Sequence, residues 1–348
     1  MKGAELIKEL SNGYFISIGK DNILMIYDNK FKKICEIKDL SYFLNNIFEI
    51  NYKEKGENNI ELLALCKNEL ISIMFDIEHI KYNIKKNKLV DISANICFEM
   101  KKNSYIVSGE NGVFHLTNFL YNTNKLTINK LLNQPFNSGI HINKNIIVLT
   151  SNSVLANGED KLIFYNNNTK KISKTIQNYS FTISQNGLCL MELNEKNKIL
   201  LCACKKYSSQ QKNGILLVNP QLEDNKEVID PFYDTDDFEV FCFCQLFINK
   251  NNISYNDFLL VGGFDCAKGV GVLKLYKLIK NERAYNTKIE FILDITFEDN
   301  EHFDGFELPI NSIIQSKASE NIIISSWDGK IYLLTPANLD FFLILMHN

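Results

Sequence analysis

The sequence lacks the patterns of helical and membrane-spanning proteins. No long segment repeats apolar residues at the three-to-four spacing of an amphipathic helix between capping residues. No apolar run approaches the ~20 residues that cross a bilayer as a helix. The first residues, MKGAELIKELSNGY, carry charges and have no long apolar core, so they do not resemble a secretory signal. We therefore expect neither a helical bundle nor a membrane-spanning protein.

Metal-binding and catalytic motifs are also missing. The nine cysteines include no Cys-x-x-Cys pair. Cys202 and Cys204 are two residues apart, as are Cys242 and Cys244, which places each pair on one face of a strand. We expect buried free thiols in a reducing compartment, the cytoplasm or alternatively the nucleus. The five histidines are isolated and no Gly-x-Ser-x-Gly elbow occurs, so we expect no enzyme activity, metal or cofactor.

The overall charge gives no case for a nucleic-acid partner. Lysine and arginine number 38 against 41 acidic residues, for a net charge of −3. A near-neutral chain lacks the global attraction that drives binding to phosphate backbones, so any charge effect must come from local clusters. We expect no nucleic-acid partner.

What the sequence does contain is a recurring β-hairpin. Its clearest copy is residues 321–335, NIIISSWDGKIYLLT, where two apolar runs flank an Asp-Gly turn. Similar strand-like runs recur roughly every 8–12 residues, and four of them repeat with a period of about 40–45 residues. That period is typical of propeller blades. The predicted blades are residues 4–38, 46–90, 95–133, 138–177, 187–230, 239–296 and 309–346.

Two segments resemble the second and third strands of a WD-repeat blade. They are SSWDGKIYLL at residues 325–334 and SIGKDNILMIYD at residues 17–28, with a fainter copy around residues 108–113. The chain departs from the family pattern in lacking its Gly-His pair and in carrying Tyr27-Asp28 where Trp-Asp is usual. The resemblance implies an all-β, seven-bladed antiparallel β-propeller with four strands per blade, forming one domain over residues 1–348. It also implies a non-enzymatic scaffold that binds other proteins.

Two glycine- or acid-rich motifs have structural explanations. Gly262-Gly263 followed by Gly269 and Gly271 resembles a phosphate loop, but a strand-like run follows where such a loop needs a helix N-terminus. We expect a wide loop in blade six instead. Residues 234–237, Asp-Thr-Asp-Asp, resemble the start of a calcium loop, but the glycine and distal glutamate of that motif do not follow. We expect a solvated acidic loop.

The candidate binding site is an acidic, aromatic face around blades five to seven. Loops between second and third strands, and between successive blades, share one face of a propeller. Residues 230–239 and 298–307 place acids and aromatic rings there, which suits a partner protein with a basic peptide segment. The candidate partner-binding residues are Asp234, Asp236, Asp237, Glu239, Glu301, Phe303, Asp304, Phe306 and Trp327. The alternatives are that the acidic loops only keep the protein soluble and that Trp327 packs on the neighbouring blade.

A second hypothesis concerns lysine-rich loops on the opposite face. They carry Lys30, Lys32 and Lys33 among others, and would give a weak contact with an anionic membrane surface or lipid phosphates. The alternative is a solubilising surface. We also expect the first strand, near residues 5–10, to be the innermost strand of blade one, so that blades one and seven meet through side-chain packing. An enzyme that uses the central channel is the remaining class, but the innermost strands are mostly apolar.

Overall fold

A computed structural model describes most of the predicted strands. The described residues are 4–19, 21–38, 40, 44–49, 59–66, 68–89, 92, 94–101, 104–117, 127–136, 138–151, 160–177, 179, 181, 187–192, 198–205, 212–220, 232–247, 249–250, 253–254, 257–279, 287–295, 306–317 and 319–335. Every regular element within these ranges is a β-strand. None of the described residues forms a helix long and apolar enough to cross a membrane.

The described strands form seven larger antiparallel sheets, numbered here as blades in chain order, and one two-stranded sheet. Blade one contains β1 (Ala4–Glu9), β2 (Phe15–Gly19), β3 (Leu24–Tyr27) and β4 (Lys33–Ile37). Blade two contains β5 (Leu44–Glu49), β6 (Asn59–Cys66), β7 (Glu69–Asp76) and β8 (Lys81–Lys88). Blade three contains β9 (Ala94–Lys101), β10 (Ser104–Gly109), β11 (Gly112–Thr117) and β12 (Thr127–Leu132). Blade four contains β13 (Ser138–His141), β14 (Ile146–Ser151), β15 (Lys161–Asn166) and β16 (Lys171–Gln177).

The last three blades follow the same plan. Blade five contains β17 (Leu188–Glu192), β18 (Lys198–Cys204), β19 (Gly214–Val218) and β20 (Phe232–Asp234). Blade six contains β21 (Phe238–Gln245), β24 (Phe258–Asp265), β25 (Val270–Ile279) and β26 (Lys288–Ile295), with β22 (Asn249–Lys250) and β23 (Ile253–Ser254) as a small extra hairpin. Blade seven contains β27 (Ile310–Gln315), β28 (Ile322–Ser326) and β29 (Ile331–Leu334). Its predicted fourth strand, near residues 341–345, lies outside the described residues.

The protein is an all-β seven-bladed antiparallel β-propeller, as the sequence predicts. The chain divides into two compact units, each made of residues that mainly contact one another. Unit one comprises Met1–Asp21, Ile26–Lys32 and Asn186–Asn348, and unit two comprises Asn22–Met25 and Lys33–Gln185. Blades five, six and seven therefore belong to unit one, and blades two, three and four to unit two.

The middle strands of the blades are buried on both faces. Every residue of β2, β10 and β19 is buried, whereas a sheet with one solvated face would alternate buried and exposed residues. Clusters of these side chains join neighbouring sheets, such as blade two with blade three and blade six with blade seven. Truncating one large side chain there typically costs about 2–5 kcal/mol. The unbroken apolar runs in the sequence follow from this two-sided packing.

Tight turns connect the second and third strands where the sequence places them. Gly112 has φ 118°, and a Cβ at that position would lie 2.2 Å from the carbonyl oxygen of Leu132. Gly329 has φ 87° in the Asp-Gly turn of blade seven, where Lys330 donates its backbone N–H to Asp328 at 2.8 Å. Glycine is required at both turns because a side chain is strained at these backbone angles.

Two predicted elements of unit one are wrong in detail. Blade five, predicted to end at residue 230, has β20 as its outer strand, which pairs with β19 through Asp234 and Gly214. Residues 230–239 are therefore not one long loop. Residues 265–270 are a compact turn rather than a wide loop, since Asp265 accepts backbone hydrogen bonds from Ala267 and Lys268, both at 3.0 Å. The glycine pair Gly262-Gly263 lies inside β24, so it forms no phosphate loop.

Blade one meets blade seven through its first strand. β1 pairs with β2 as the first strand of blade one, as expected, and packs against β27 and β28. The carboxylate of Glu9 also accepts hydrogen bonds from the Ser316 hydroxyl at 2.8 Å and from the Lys317 backbone N–H at 2.7 Å. Contact between these blades thus combines apolar packing with charge-assisted hydrogen bonds, which are stronger than neutral ones.

We predict that Glu9→Ala lowers stability by about 1–2 kcal/mol, because it removes the acceptor of two charge-assisted bonds. The measurement is the urea midpoint of unfolding, with Glu110→Ala as a control for loss of one exposed turn carboxylate in unit two. An equal effect of the two substitutions would show that the Glu9 hydrogen bonds do not stabilise the contact.

Candidate functional site

Turn segments of blades five to seven form one continuous surface in unit one. We call the surface made by residues 212–213, 234–238, 265–271, 306–309 and 327–330 the acidic face. Backbone hydrogen bonds join each segment to the next, so that the whole surface is held by main chain. The donor–acceptor pairs are Thr235 to Asn213 (3.1 Å), Cys266 to Asp237 (3.0 Å), Gly271 to Phe306 (2.8 Å) and Trp327 to Pro309 (3.1 Å).

The acidic turn at residues 234–238 is fixed by its own side chains. Asp234 Oδ1 accepts the backbone N–H of Asp236 at 3.0 Å, and the Thr235 hydroxyl donates to the carbonyl oxygen of Phe238 at 2.7 Å. Asn213 donates its side-chain amide to the carbonyl oxygen of Asp236 at 3.0 Å. The turn therefore holds the exposed side chains of Asp236 and Asp237 in a defined position.

Negative charge around this turn contributes to the pKa shifts of three neighbouring groups. Burial raises the pKa of Tyr233, and the charge of Asp236 raises it further. The pKa of Lys212 is raised by its hydrogen bond to Asp234, with a smaller contribution from Asp236. Burial raises the pKa of Cys266, and nearby carboxylates led by Glu239 add to the effect. Negative charge disfavours thiolate and phenolate and favours an ammonium group, so the smaller contributions of the carboxylates to these shifts have the sign expected of an acidic surface.

Two of the predicted partner-binding acids, Glu239 and Asp234, form ion pairs with lysines of the same unit. Glu239 is only 7% exposed, because β21 begins at Phe238 and includes it. Its carboxylate pairs with Lys205, and Asp234 pairs with Lys212. The expectation that Glu239 is a surface acid is therefore wrong. A buried carboxylate needs such a partner, because desolvating it alone would be costly.

The aromatic part of the prediction also needs correction. Phe306 is 4% exposed and packs edge-on against Tyr332, with ring centroids 4.8 Å apart. An isolated β-bridge between Phe306 and Gly271 holds it in the core. Phe306 is therefore not an exposed anchor. Glu301, Phe303 and Asp304 lie outside the described residues, so their part of the prediction stays a prediction.

Trp327 has features of both roles that the sequence leaves open. Its ring is tilted against Phe241 of blade six, with centroids 5.4 Å apart, and this contact is the packing alternative. Its side chain nevertheless remains half-buried, at the edge of the acidic face. The packing role is therefore shown by the Phe241 contact, and the partial exposure leaves room for a contact with a partner.

Two exposed apolar residues of the acidic face are not apparent from the sequence. Leu308 is 43% exposed and Val270 is 38% exposed. The backbone pairing of Gly271 with Phe306 brings their two segments together. Beside them Glu307 is exposed and reaches Lys330 only at 3.7 Å. The acidic face therefore combines an apolar patch with exposed carboxylates, and only the three-dimensional pairing of the segments creates it.

The chemistry of the described residues offers no accessible nucleophile–base pair at this face. In unit two Ser104 Oγ lies 2.7 Å from Nε2 of His115, a distance that suits a catalytic pair. Ser104 is, however, only 2% exposed, so substrate cannot reach its hydroxyl. Among the described residues no group of three or more His, Cys, Asp or Glu side chains is placed to hold a metal ion.

The cysteines are free thiols in the described part of the chain, and most are buried. Burial raises the pKa of Cys189 to about 12 and that of Cys244 to about 12, and it also raises the pKa values of Cys204 and Cys242. Because the thiolate is the nucleophile, these thiols are unreactive in the folded protein. The prediction of buried free thiols is confirmed for both predicted pairs, Cys202 with Cys204 and Cys242 with Cys244, whereas Cys189 is only partly buried. Cys266 is exposed.

Comparison with known proteins identifies the fold. No family model matches the chain, and no curated protein matches it. The chain is similar to a solved structure, the β-propeller domain of Cps50 (Swd1) from Myceliophteria thermophila, with a TM-score of 0.60 and 9% identity over 96% of both chains. The chain thus has the β-propeller fold of that domain. In all, 480 chains of solved structures match, and so common a fold does not select one function.

We predict that a small aromatic disulfide reagent labels Cys266 first and Cys35 more slowly at about pH 8, because thiolate character and access control the rate. Cys204, Cys242 and Cys244 should react only after unfolding in urea. The raised pKa of Cys266 means that its rate should still increase as the pH rises above 8, since its thiolate fraction is still growing there. Peptide mapping by mass spectrometry measures each site, and rapid native labelling of Cys242 would contradict the packing of β21.

Proposed function

We propose that the protein is a non-enzymatic interaction scaffold that binds a basic segment of a partner protein on the acidic face. The likeness to a WD40 propeller supports a protein-interaction role in general. The particular face is inferred from its chemistry. The observation that carries the proposal is that turns joined by main-chain hydrogen bonds expose both carboxylates, Asp236 and Asp237, and apolar side chains.

The two kinds of side chain have different roles in the proposed complex. The carboxylates attract the basic segment and speed its encounter with the face. Leu308, Val270 and the exposed edge of Trp327 contribute contact area, which gives most of the binding free energy in such interfaces. Because main-chain hydrogen bonds hold the segments in place, little conformational entropy is lost on binding.

The charge of the acidic turn is not explained by folding. Three of the four residues at 234–237 are aspartates, and like charges this close repel each other. Asp234 caps the turn and pairs with Lys212, so its charge serves the fold. Asp236 has φ 53°, a conformation that asparagine also adopts readily. A neutral side chain would serve the turn equally well, which supports a role for the charge in binding.

The experiment replaces the exposed charge while keeping the turn. We predict that Asp236→Asn with Asp237→Asn weakens binding of a labelled basic peptide, of alternating lysine and leucine, about fivefold or more at low salt. Asparagine preserves the backbone conformation, so the stability of the double variant should stay near that of the wild type. Fluorescence anisotropy at about 0.05 M and 0.15 M salt measures affinity and its screening.

The matched control neutralises two exposed acids outside the acidic face, Glu110→Gln and Glu290→Gln. A separate pair compares Leu308→Ser on the face with Phe247→Ser, which is 52% exposed at the opposite end of β21. Equal losses in the two charge variants would mean that only net charge matters. Unchanged affinity in both Asp236/Asp237 and Leu308 variants, with the fold intact, would show that the acidic face is not the binding site.

A further inference from the structure

The outer strands of unit two have an unusual composition. β8, β12 and β16 together carry seven lysines and no aspartate or glutamate. The outer strands of blades one and six, β4 and β26, mix both signs of charge. All three unit-two strands are edge strands with mostly exposed residues. The edge of blades two to four is therefore selectively basic.

Each of these strands also exposes one large apolar side chain at the same position. The residue is the second of its strand in every case, and it pairs with the penultimate residue of the neighbouring third strand. The exposed residues and their buried partners are Tyr82 (36% exposed) with Phe75, Ile128 (40%) with Leu116, and Ile172 (50%) with Tyr165. Repetition at one register position in three blades is not expected of scattered surface residues.

These positions lie at corresponding ends of neighbouring strands. Blades two and three share one apolar cluster, and blades three and four share another. Their sheets are stacked in sequence with the same strand order. Tyr82, Ile128 and Ile172 therefore form a row along one edge of unit two, with Lys81, Lys130 and Lys171 interspersed. We call this row the basic edge.

Ile80 adds a feature that folding does not explain. It ends the turn before β8, is 55% exposed and has φ 51°. A β-branched residue is strained in this conformation, and its exposed side chain adds little to the core. Lys170 holds the equivalent position before β16, with φ 58°. An asparagine or glycine would fit this position better, so the isoleucine side chain serves something other than local stability.

Protection of sheet edges explains the lysines of the basic edge, but it does not explain the exposed apolar side chains. Lysines on edge strands prevent strand pairing between molecules. Exposed isoleucines have the opposite effect, because they favour association. Lysines next to exposed isoleucines suit a binding partner whose surface is anionic and whose interior, just beneath that surface, is apolar. The nearby acid Asp76 is engaged locally with His79, whose backbone N–H donates to it at 3.1 Å and whose ring Nδ1 lies 2.8 Å away.

We propose that the basic edge of unit two docks on an anionic lipid bilayer. The lysines approach the phosphate and carboxylate headgroups, and each contributes roughly a fivefold gain in partitioning. Ile80, Ile128 and Ile172 enter the boundary between headgroups and acyl chains, where aliphatic side chains gain from leaving water. Tyr82 lies at the headgroup level, the depth that suits its amphipathic ring. This docking surface is independent of the acidic face, which lies in unit one.

The experiment measures sedimentation of the full chain with vesicles of phosphatidylcholine alone or with about 30% phosphatidylserine. The wild type should bind only the anionic vesicles, and binding should weaken between about 0.1 M and 0.5 M salt. Ile128→Ser with Ile172→Ser should lower partitioning about tenfold or more. The matched control is Ile279→Ser with Leu333→Ser, two residues of unit one that are 45% and 44% exposed; it should bind like the wild type.

A second variant distinguishes loss of vesicle binding from loss of folding. Ile80→Asn relieves backbone strain, so its melting temperature should equal or exceed that of the wild type while its vesicle binding falls. Absence of binding to anionic vesicles, or equal binding by the Ile128/Ile172 variant and its control, would overturn the proposal. So would tighter binding of the wild type to a single-stranded RNA than to vesicles, with the RNA binding unaffected by the isoleucine substitutions.

Discussion

Burial of the middle strands on both faces is the constraint on which the rest of the structure depends. In β2, β10 and β19 every residue is buried. A sheet of this kind is stable only when other sheets cover both of its faces, which a stack of blades provides. The same requirement removes charge from the strands, except where a partner compensates it, as Lys205 does for Glu239. The apolar runs of the sequence and its repeat period both follow from this packing.

This constraint leaves two kinds of surface on which function can evolve. Turns can change in length and charge without disturbing the buried strands, and outer strands expose most of their residues. The acidic face uses the first kind and the basic edge uses the second. In both, the exposed apolar residues are informative, because lone charges on a propeller are readily explained by solubility. Leu308 and Ile172 have no such explanation.

The sequence predicts where most strands lie, but it does not predict which residues next to the strands are buried. β19 and β28 coincide with apolar runs bounded by Asn or by an Asp-Gly turn, which are a local signal. β20 was missed because its three residues are half-buried and lie in an acidic segment. β21 begins at Phe238, so Glu239, which the sequence places in the loop over residues 230–239, lies in the core. The burial of Phe306 depends on a bridge to Gly271, 35 positions away, which leaves no local pattern.

The net charge of the whole chain conceals a separation between the units. Unit two has 18 lysines against 14 acidic residues, whereas unit one has 20 basic against 27 acidic residues. Folding alone does not require this difference in net charge between the units, since charges in turns and on outer strands contribute little to stability. Charges that serve the fold are recognised by burial or by a fixed partner, as with Glu9 at the contact between blades one and seven. Asp236 and Lys171 are instead exposed, and the two proposals attribute the sign of their charge to a binding partner.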